Sequence, residues 1–472
     1  LPDALAAARS GARARAVAAV VPGLAGVAAP TVVALTCSDS LVPTSVLAKR
    51  NPRFPSLEEV SRLGYAVDDL VLGGLGEHWY GRAGLLVVVL AGVGLAALVT
   101  RDLRAARPGA GFRAIAALAL PTAVVAVTVP FGTHYRYLMP FAPVFLVAAL
   151  LGARAIDGAV ARAGAAPLPW ARGALAAVAL AGVPGWAVAF GDNTRDIAQQ
   201  QVAVAEWIAA HTDAGARVAI NDAGAMGHLA GRRVLDLEGI VSDGAVRHAL
   251  AGEGATLALL RRERPDYVAV YPTWFDGLFE AGLVREVLRV DLVQRTVSGA
   301  EVMVVGTLDA ARLDSARLPP ALDPGERVVD ALDVSDVDDE AAHAWSAAGD
   351  PLRLARDNDV HAGAVADGSE RVDGARRLFG DEAFTMRAAG GPAQLVARLG
   401  PATAATLELW LDGRRLGPVT LPAVEEGRWV EVGWPMPPLP AGDVRIELRA
   451  LELLPGDAGG RVIAGWWWVE RG

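Results

Sequence analysis

Residues 131–151, FGTHYRYLMPFAPVFLVAALL, set a short aromatic and basic cluster, His134-Tyr135-Arg136-Tyr137, at the mouth of an apolar run that carries Pro140 and Pro143. Aromatic rings anchor helices at a membrane surface, and a guanidinium there either snorkels to lipid headgroups or grips a phosphate. The stretch therefore reads as the outer end of a membrane helix, and the chain around it reads the same way. Of 472 residues, 53% are hydrophobic, and the mean hydropathy is +0.33, which points to membrane segments rather than a soluble protein. A net charge of −9 argues against general nucleic-acid binding. Cys37 is the only cysteine, so an internal disulfide and a thiolate metal cluster are both excluded. Lys49 is the only lysine.

Five stretches are apolar and long enough to cross a bilayer: Ala16–Thr36, Gly84–Thr100, Ala114–Phe131, Tyr137–Leu151 and Gly173–Phe190. Arginines fill alternate turns, with Arg9, Arg13 and Arg15 before the first span, Arg101, Arg104, Arg107 and Arg113 in the second turn, and Arg154, Arg162 and Arg172 in the third. By the positive-inside rule those turns are cytoplasmic. The loop 37–82, the His134–Tyr137 cluster and everything after Phe190 are then expected outside the cytoplasm of an inner or plasma membrane. In the outer loop, Ser56 and Glu59 have capping-box spacing ahead of a helical recurrence of Leu57, Val60, Leu63, Val67 and Leu70.

From Asp192 the character becomes soluble α/β. The sequence predicts a helix over Ile197–His211, strands at Arg217–Ile220, Arg233–Asp236 and Tyr267–Tyr271, and a helix through Leu260. Residues 319–342, proline-rich and acidic, read as a linker. Beyond them strand-like runs recur, and Asp412-Gly413 between two alternating runs signals a hairpin. The expected fold is thus multidomain: a polytopic helical membrane region (1–191), an extracytoplasmic α/β domain (192–318), the linker, and a β-sandwich or jelly roll (343–472). Alternation puts Trp466 and Trp468 on one face of the last strand and Trp467 on the other, which suits a sandwich core better than a sugar platform.

Both outer loops bring cations to one membrane face: Lys49 and Arg50 from one, Arg136 and His134 from the other. A polyprenyl phosphate carries its charge at that depth, and charge-assisted hydrogen bonds would hold it and stabilise it as a leaving group. Interfacial anchoring is the simpler reading of the same residues. In the soluble part, Asp222, His228, Asp236, Glu238 and Asp243 fall close together in NDAGAMGHLAGRRVLDLEGIVSDG. At the ends of strands they suit an acceptor-sugar pocket; turn and cap roles are the plainer alternative. No tight ligand spacing marks a metal site.

RYLMPFAPVFLVAALLGA resembles the late-helix motif of GT-C-fold membrane glycosyltransferases, and LVPTSVLAK resembles a loop of that superfamily near its terminal arabinofuranosyltransferase branch, with Thr44 where Asn is frequent. The resemblance implies sugar transfer from a polyprenyl-phosphate donor to a cell-envelope glycan acceptor at a lipid bilayer. It favours donor-phosphate binding by Arg136 and Lys49 with His134 and Tyr135 beside them, while the acceptor pocket of Asp222, His228 and Glu238 rests on their place at the strand ends. The one cofactor the sequence admits, on residue type alone, is a divalent cation. The family's catalytic carboxylate lies in a first outer loop that has no counterpart ahead of Ala16, so the catalytic residue stays unassigned. The chain is accordingly expected to be the C-terminal portion of a longer enzyme. The alternative is a non-catalytic, membrane-anchored scaffold or glycan-binding protein. A transporter fits poorly, because the spans carry almost no ionisable residues at mid-depth.

Overall fold

The structure, a computed structural model, describes residues 84–105, 109, 111, 113–115, 142–164, 169–242, 244–315, 319–349, 351–451 and 460–471. They fall into two compact units, one of 84–197 with 296–298 and the other of 198–295 with 299–471.

The first unit holds α1 (Gly84–Arg104), α2 (Ala142–Arg162) and α3 (Trp170–Ile197). Among the described residues, three helices are long and apolar enough to cross a membrane, and they overlap three of the five expected spans, the second shifted to Pro143–Arg162. Ala16–Thr36, nearly all of Ala114–Phe131 and the capped helix from Ser56 lie outside the described residues. Small residues let α1 and α2 touch backbone to backbone. A Cβ on Gly94 would meet the Ala148 carbonyl at 1.9 Å, and one on Gly152 would meet the Leu90 carbonyl at 1.8 Å. This is how helices pack where lipid offers no hydrophobic drive between them. Leu85, Val147, Leu180 and Phe190 are exposed. Asp157 of α2 closes the turn to α3, accepting from the Ala171 N–H at 2.7 Å and Arg172 Nε at 2.8 Å. At the far end of α3, Asp196 gathers the N–H groups of Thr296, Val297 and Ser298 on one oxygen.

In the second unit a π-turn (Ala198–Val202) leads into α4 (Ala203–His211). There follow β1 (Arg217–Ile220), α5 (Ala223–Leu229), β2 (Arg233–Asp236), α6 (Ala245–Ala249), α7 (Glu253–Glu263), β3 (Tyr267–Val270), α8 (Asp276–Glu280), β4 (Val284–Asp291), β5 (Val302–Leu308) and α9 (Ala310–Ser315). The sheet order is β2-β1-β3-β5-β4. β1, β2 and β3 are parallel, while β4 and β5 close the edge antiparallel. β1 and β3 are short apolar runs because both faces of this sheet are covered. The sequence expectation of an α/β domain stands, but the sheet is mixed: the expected strands β1, β2 and β3 are parallel, and β5 and β4 join them antiparallel.

The stretch expected as a linker holds β6 (Glu326–Asp333) and α10 (Val337–Ala342). Then come β7 (Ser346–Ala347), α11 (Pro351–Arg356), β8 (Asn358–Ala364), β9 (Glu370–Leu378), β10 (Glu382–Ala388), β11 (Ala393–Leu399), β12 (Ala405–Leu411), β13 (Arg414–Leu421), β14 (Val430–Met436), β15 (Gly442–Ala450) and β16 (Arg461–Arg471). They form two antiparallel sheets, β13-β12-β15-β10-β7 and β14-β11-β16-β9-β8, with β6 bonded to β16. The acidic residues of β6 hide its apolar ones in the sequence. Leu332 is nonetheless buried in the sandwich core, and β6 runs along β16 from Asp333 opposite Gly465 to Glu326 opposite Arg471. Asp412 (φ 48°) and Gly413 (φ 75°) make the expected hairpin turn between β12 and β13. Trp466 and Trp468 fill the core between the sheets and Trp467 faces the other way. Val360 of β8 and Val372 of β9 pack into the core of the α/β region, so the sandwich and the α/β sheet share apolar surface.

Candidate functional site

Two groupings of polar side chains stand out, one at the carboxyl edge of the parallel strands and one in a cleft where α7 meets β6, α10 and β16. At the edge, Asp222 follows β1, Asp236 ends β2, and Tyr271 follows β3. The Asp222 carboxylate accepts from Gln201 Nε2 at 2.6 Å and from the Tyr271 hydroxyl at 3.1 Å, and Gln201 Nε2 also reaches the Tyr271 hydroxyl at 3.1 Å. Gln201 arrives from the π-turn, a distortion that aims its amide across the strand ends. Asp236 is fully buried and accepts the N–H groups of Glu238, Ile240 and Val241, shaping the loop after β2. Burial, with the Asp236 charge adding to it, lifts the Glu238 carboxyl to about 7. The edge thus offers a carboxyl group able to gain and lose a proton near neutrality. Trp274 beside it is 47% exposed, and its ring lies edge-on to Tyr271 at 5.3 Å.

The structure brings Asp222, Asp236 and Glu238 to one strand edge. His228 is exposed near the end of α5 and makes no hydrogen bond or ion pair with them. Asp243, Arg136, Lys49, His134 and Tyr135 lie outside the described residues.

The second grouping surrounds a cleft of about 380 Å³ lined by Arg261, Asp333, Asp336, Asp339, Asp373 and Trp467 among others. Arg261 of α7, only 4% exposed, donates to Asp333 Oδ2 at 3.2 Å and to Asp373 Oδ1 at 3.1 Å. From the opposite side Arg398 of β11 donates to Asp373 Oδ2 at 3.3 Å and to Glu431 Oε1 at 2.8 Å. Its guanidinium also lies 4.8 Å from the centre of a Trp467 ring, a cation–π contact. Asp373 is therefore clamped between two guanidinium groups. Asp336 and Asp339 keep partly exposed carboxylates toward the cleft, with Asp336 Oδ1 capping α10 through the Asp338 N–H and Asp339 Oδ2 holding the Asp333 N–H. One guanidinium group, several carboxylates and one indole line this concave space, a lining suited to a polar, multiply hydroxylated ligand.

Sequence reasoning passed over Gln201, Tyr271, Arg261, Asp333, Asp336 and Asp373. Tyr271 was legible as the end of an apolar strand whose hydroxyl needs a partner. Arg261 in LLRRE and Asp373 in RVDGARR carry no local signal, because each finds its partner in a distant segment.

The family model described as Domain of unknown function (DUF8728) matches residues 193–315, the α/β region. No curated protein matches the chain. Among solved structures, the C-terminal β-sandwich is similar to a family 35 carbohydrate-binding module from Clostridium thermocellum, at 15% identity over 20% of this chain and 76% of that one, TM-score 0.16. A CBM36-1 domain of a multidomain xylanase from the hindgut metagenome of Trinervitermes trinervoides is 12% identical over 30% of this chain and 95% of that one, TM-score 0.18. The C-terminal CBM6 of LamC from Zobellia galactanivorans is 20% identical over 24% and 89%, TM-score 0.17. No GT-C family is among these matches.

Proposed function

We propose that this chain is a membrane-anchored glycan-binding protein that recognises sugar in the acidic cleft where α7 meets its β-sandwich. The observation that carries the proposal is the cleft itself, which is large enough for one or two sugar residues and lined by the carboxylates of Asp336 and Asp339, the Arg261 guanidinium and Trp467. Sugar hydroxyls donate to carboxylates and accept from guanidinium groups, and these side chains are already held in place by one another. The three apolar helices would anchor the chain, and arginine-rich turns on the cytoplasmic side would put the cleft outside. Screening the full chain in detergent against an array of cell-envelope and plant polysaccharides tests this. Retention of at least one glycan, weakened about tenfold or more by Asp339→Asn, is expected. No retention on any glycan, or equal retention by the variant, contradicts it.

A second reading follows the sequence resemblance: transfer of a sugar from a polyprenyl phosphate held by Arg136 and Lys49, with His134 and Tyr135 beside them. The observation favouring it is Glu238, whose proton affinity near neutrality and place just after β2, the strand paired with the one Asp222 follows, suit a general base. For this reading, Arg136→Ala in membranes supplied with radiolabelled polyprenyl-phosphate sugar lowers transfer at least a hundredfold without lowering expression. Unchanged turnover removes Arg136 from any donor site.

A further inference from the structure

His248 of α6 is fully buried. Its Nδ1 faces the Gly244 carbonyl at 3.2 Å and must donate there, since a carbonyl only accepts. That tautomer leaves a lone pair on Nε2, and Nε2 has no hydrogen-bond partner. It points toward two carboxylates, Asp338 Oδ2 at 3.6 Å and Asp336 Oδ1 at 3.9 Å. Both distances are too long for a hydrogen bond. They are close to the edge of a tetrahedron with metal–ligand bonds of about 2.0–2.2 Å, roughly 3.4 Å. One ligand atom from each of the three residues lies within 4.8 Å of the others. The Nδ1–H to carbonyl bond is the arrangement that fixes a ligating imidazole in orientation.

From this geometry we propose that His248 Nε2, Asp336 and Asp338 form a site for a zinc-class divalent cation that ties α6 of the α/β sheet to α10 at the entrance of the sandwich. One nitrogen and two carboxylate oxygens leave a fourth position for water. The histidine selects against calcium and magnesium, which take oxygen ligands. Two arginines compete for the same carboxylate, with Arg262 on Asp338 Oδ2 and Arg247 on Asp338 Oδ1. Their side chains are 39% and 55% exposed, so each can turn into solvent when the cation enters. The cation takes Oδ2 from Arg262 and leaves Oδ1 to Arg247. Asp336 also lines the cleft, so the two sites share one carboxylate, but the metal titration requires no glycan.

The experiment is zinc titration of the untagged full chain in detergent after chelator treatment, with bound metal measured by elemental analysis and competition with a chromophoric chelator. One zinc per chain is expected, with calcium failing to displace it. His248→Gln and Asp338→Asn each lower the affinity at least a hundredfold, and Arg262→Ala raises it about tenfold by removing the competitor. Cobalt in place of zinc gives the intense visible bands of four-coordinate geometry in the wild type and loses them in His248→Gln. Zinc uptake unchanged in both His248→Gln and Asp338→Asn, or no stoichiometric uptake by the wild type, overturns the proposal. Should His248→Gln fail to fold, the Asp338→Asn and Arg262→Ala titrations decide the matter, and an affinity that falls in Arg262→Ala also overturns it.

Discussion

Replacing Arg261 by alanine lowers the unfolding free energy of the second unit by about 3–5 kcal/mol, because it removes one partner of a buried ion-pair network and leaves carboxylates behind. Arg261 is 4% exposed and Asp373 5% by side chain, so little water reaches the vacated charge. Asp373 would keep only Arg398, and Asp333 would lose its guanidinium. Arg261→Met, which retains much of the aliphatic stem, recovers little of the loss, since the charge rather than the packing is missing. Urea unfolding followed by tryptophan fluorescence measures the effect, with Trp466 and Trp468 reporting from the core. A loss below about 1 kcal/mol in Arg261→Ala would show that the network is solvated like a surface pair.

Adjacent tryptophans should respond in opposite ways. Trp466 is fully buried between the sheets, 5.2 Å from the Phe384 ring and 6.2 Å from the Trp434 ring, and its Nε1 donates to Glu382 at 3.1 Å. Trp466→Ala opens a large cavity and removes one donor from the Glu382 carboxylate, which keeps Trp345 Nε1 at 2.9 Å, a cost of about 3–5 kcal/mol that leaves little of a domain's usual stability. Trp467 packs on the outer face of the same strand with Val396 and Val469, and lines the cleft. Trp467→Ala should cost less stability and instead abolish glycan retention, since the indole that supports Arg398 and one wall of the cleft are lost together. Fluorescence-monitored unfolding and glycan retention, run side by side on the two variants, check the contrast. Equal effects on both readouts from both variants would mean that the two faces of β16 do not have separate roles.

Much of the fold was legible because its signals are local. RVAI and RVLD are short apolar runs between turns, the Asp412-Gly413 pair supplies the left-handed residues its hairpin needs, and WWW in an alternating run sorts its rings by parity. The apolar helices announced themselves by length and composition. β6 did not, because in ERVVDALD the acidic residues that meet Arg261 and His343 look like linker composition. The sites were less legible still. Asp222 and Glu238 could be found as polar residues after strand runs, but Gln201 and Tyr271, which bind Asp222, come from a helix distortion and a different strand. Arg261, Asp373, His248 and Asp336 acquire meaning only when the α/β sheet and the sandwich pack together, and no periodicity or spacing encodes that pairing.

Hydrogen–deuterium exchange of the full chain in detergent, with and without a saturating oligosaccharide retained on the array, tests the central claim most directly. The account expects slowed exchange in residues 331–339 and 464–467, which line the cleft, and little change at 221–240. Slowing confined to 221–240, or no slowing anywhere at saturation, would contradict a glycan site in the cleft.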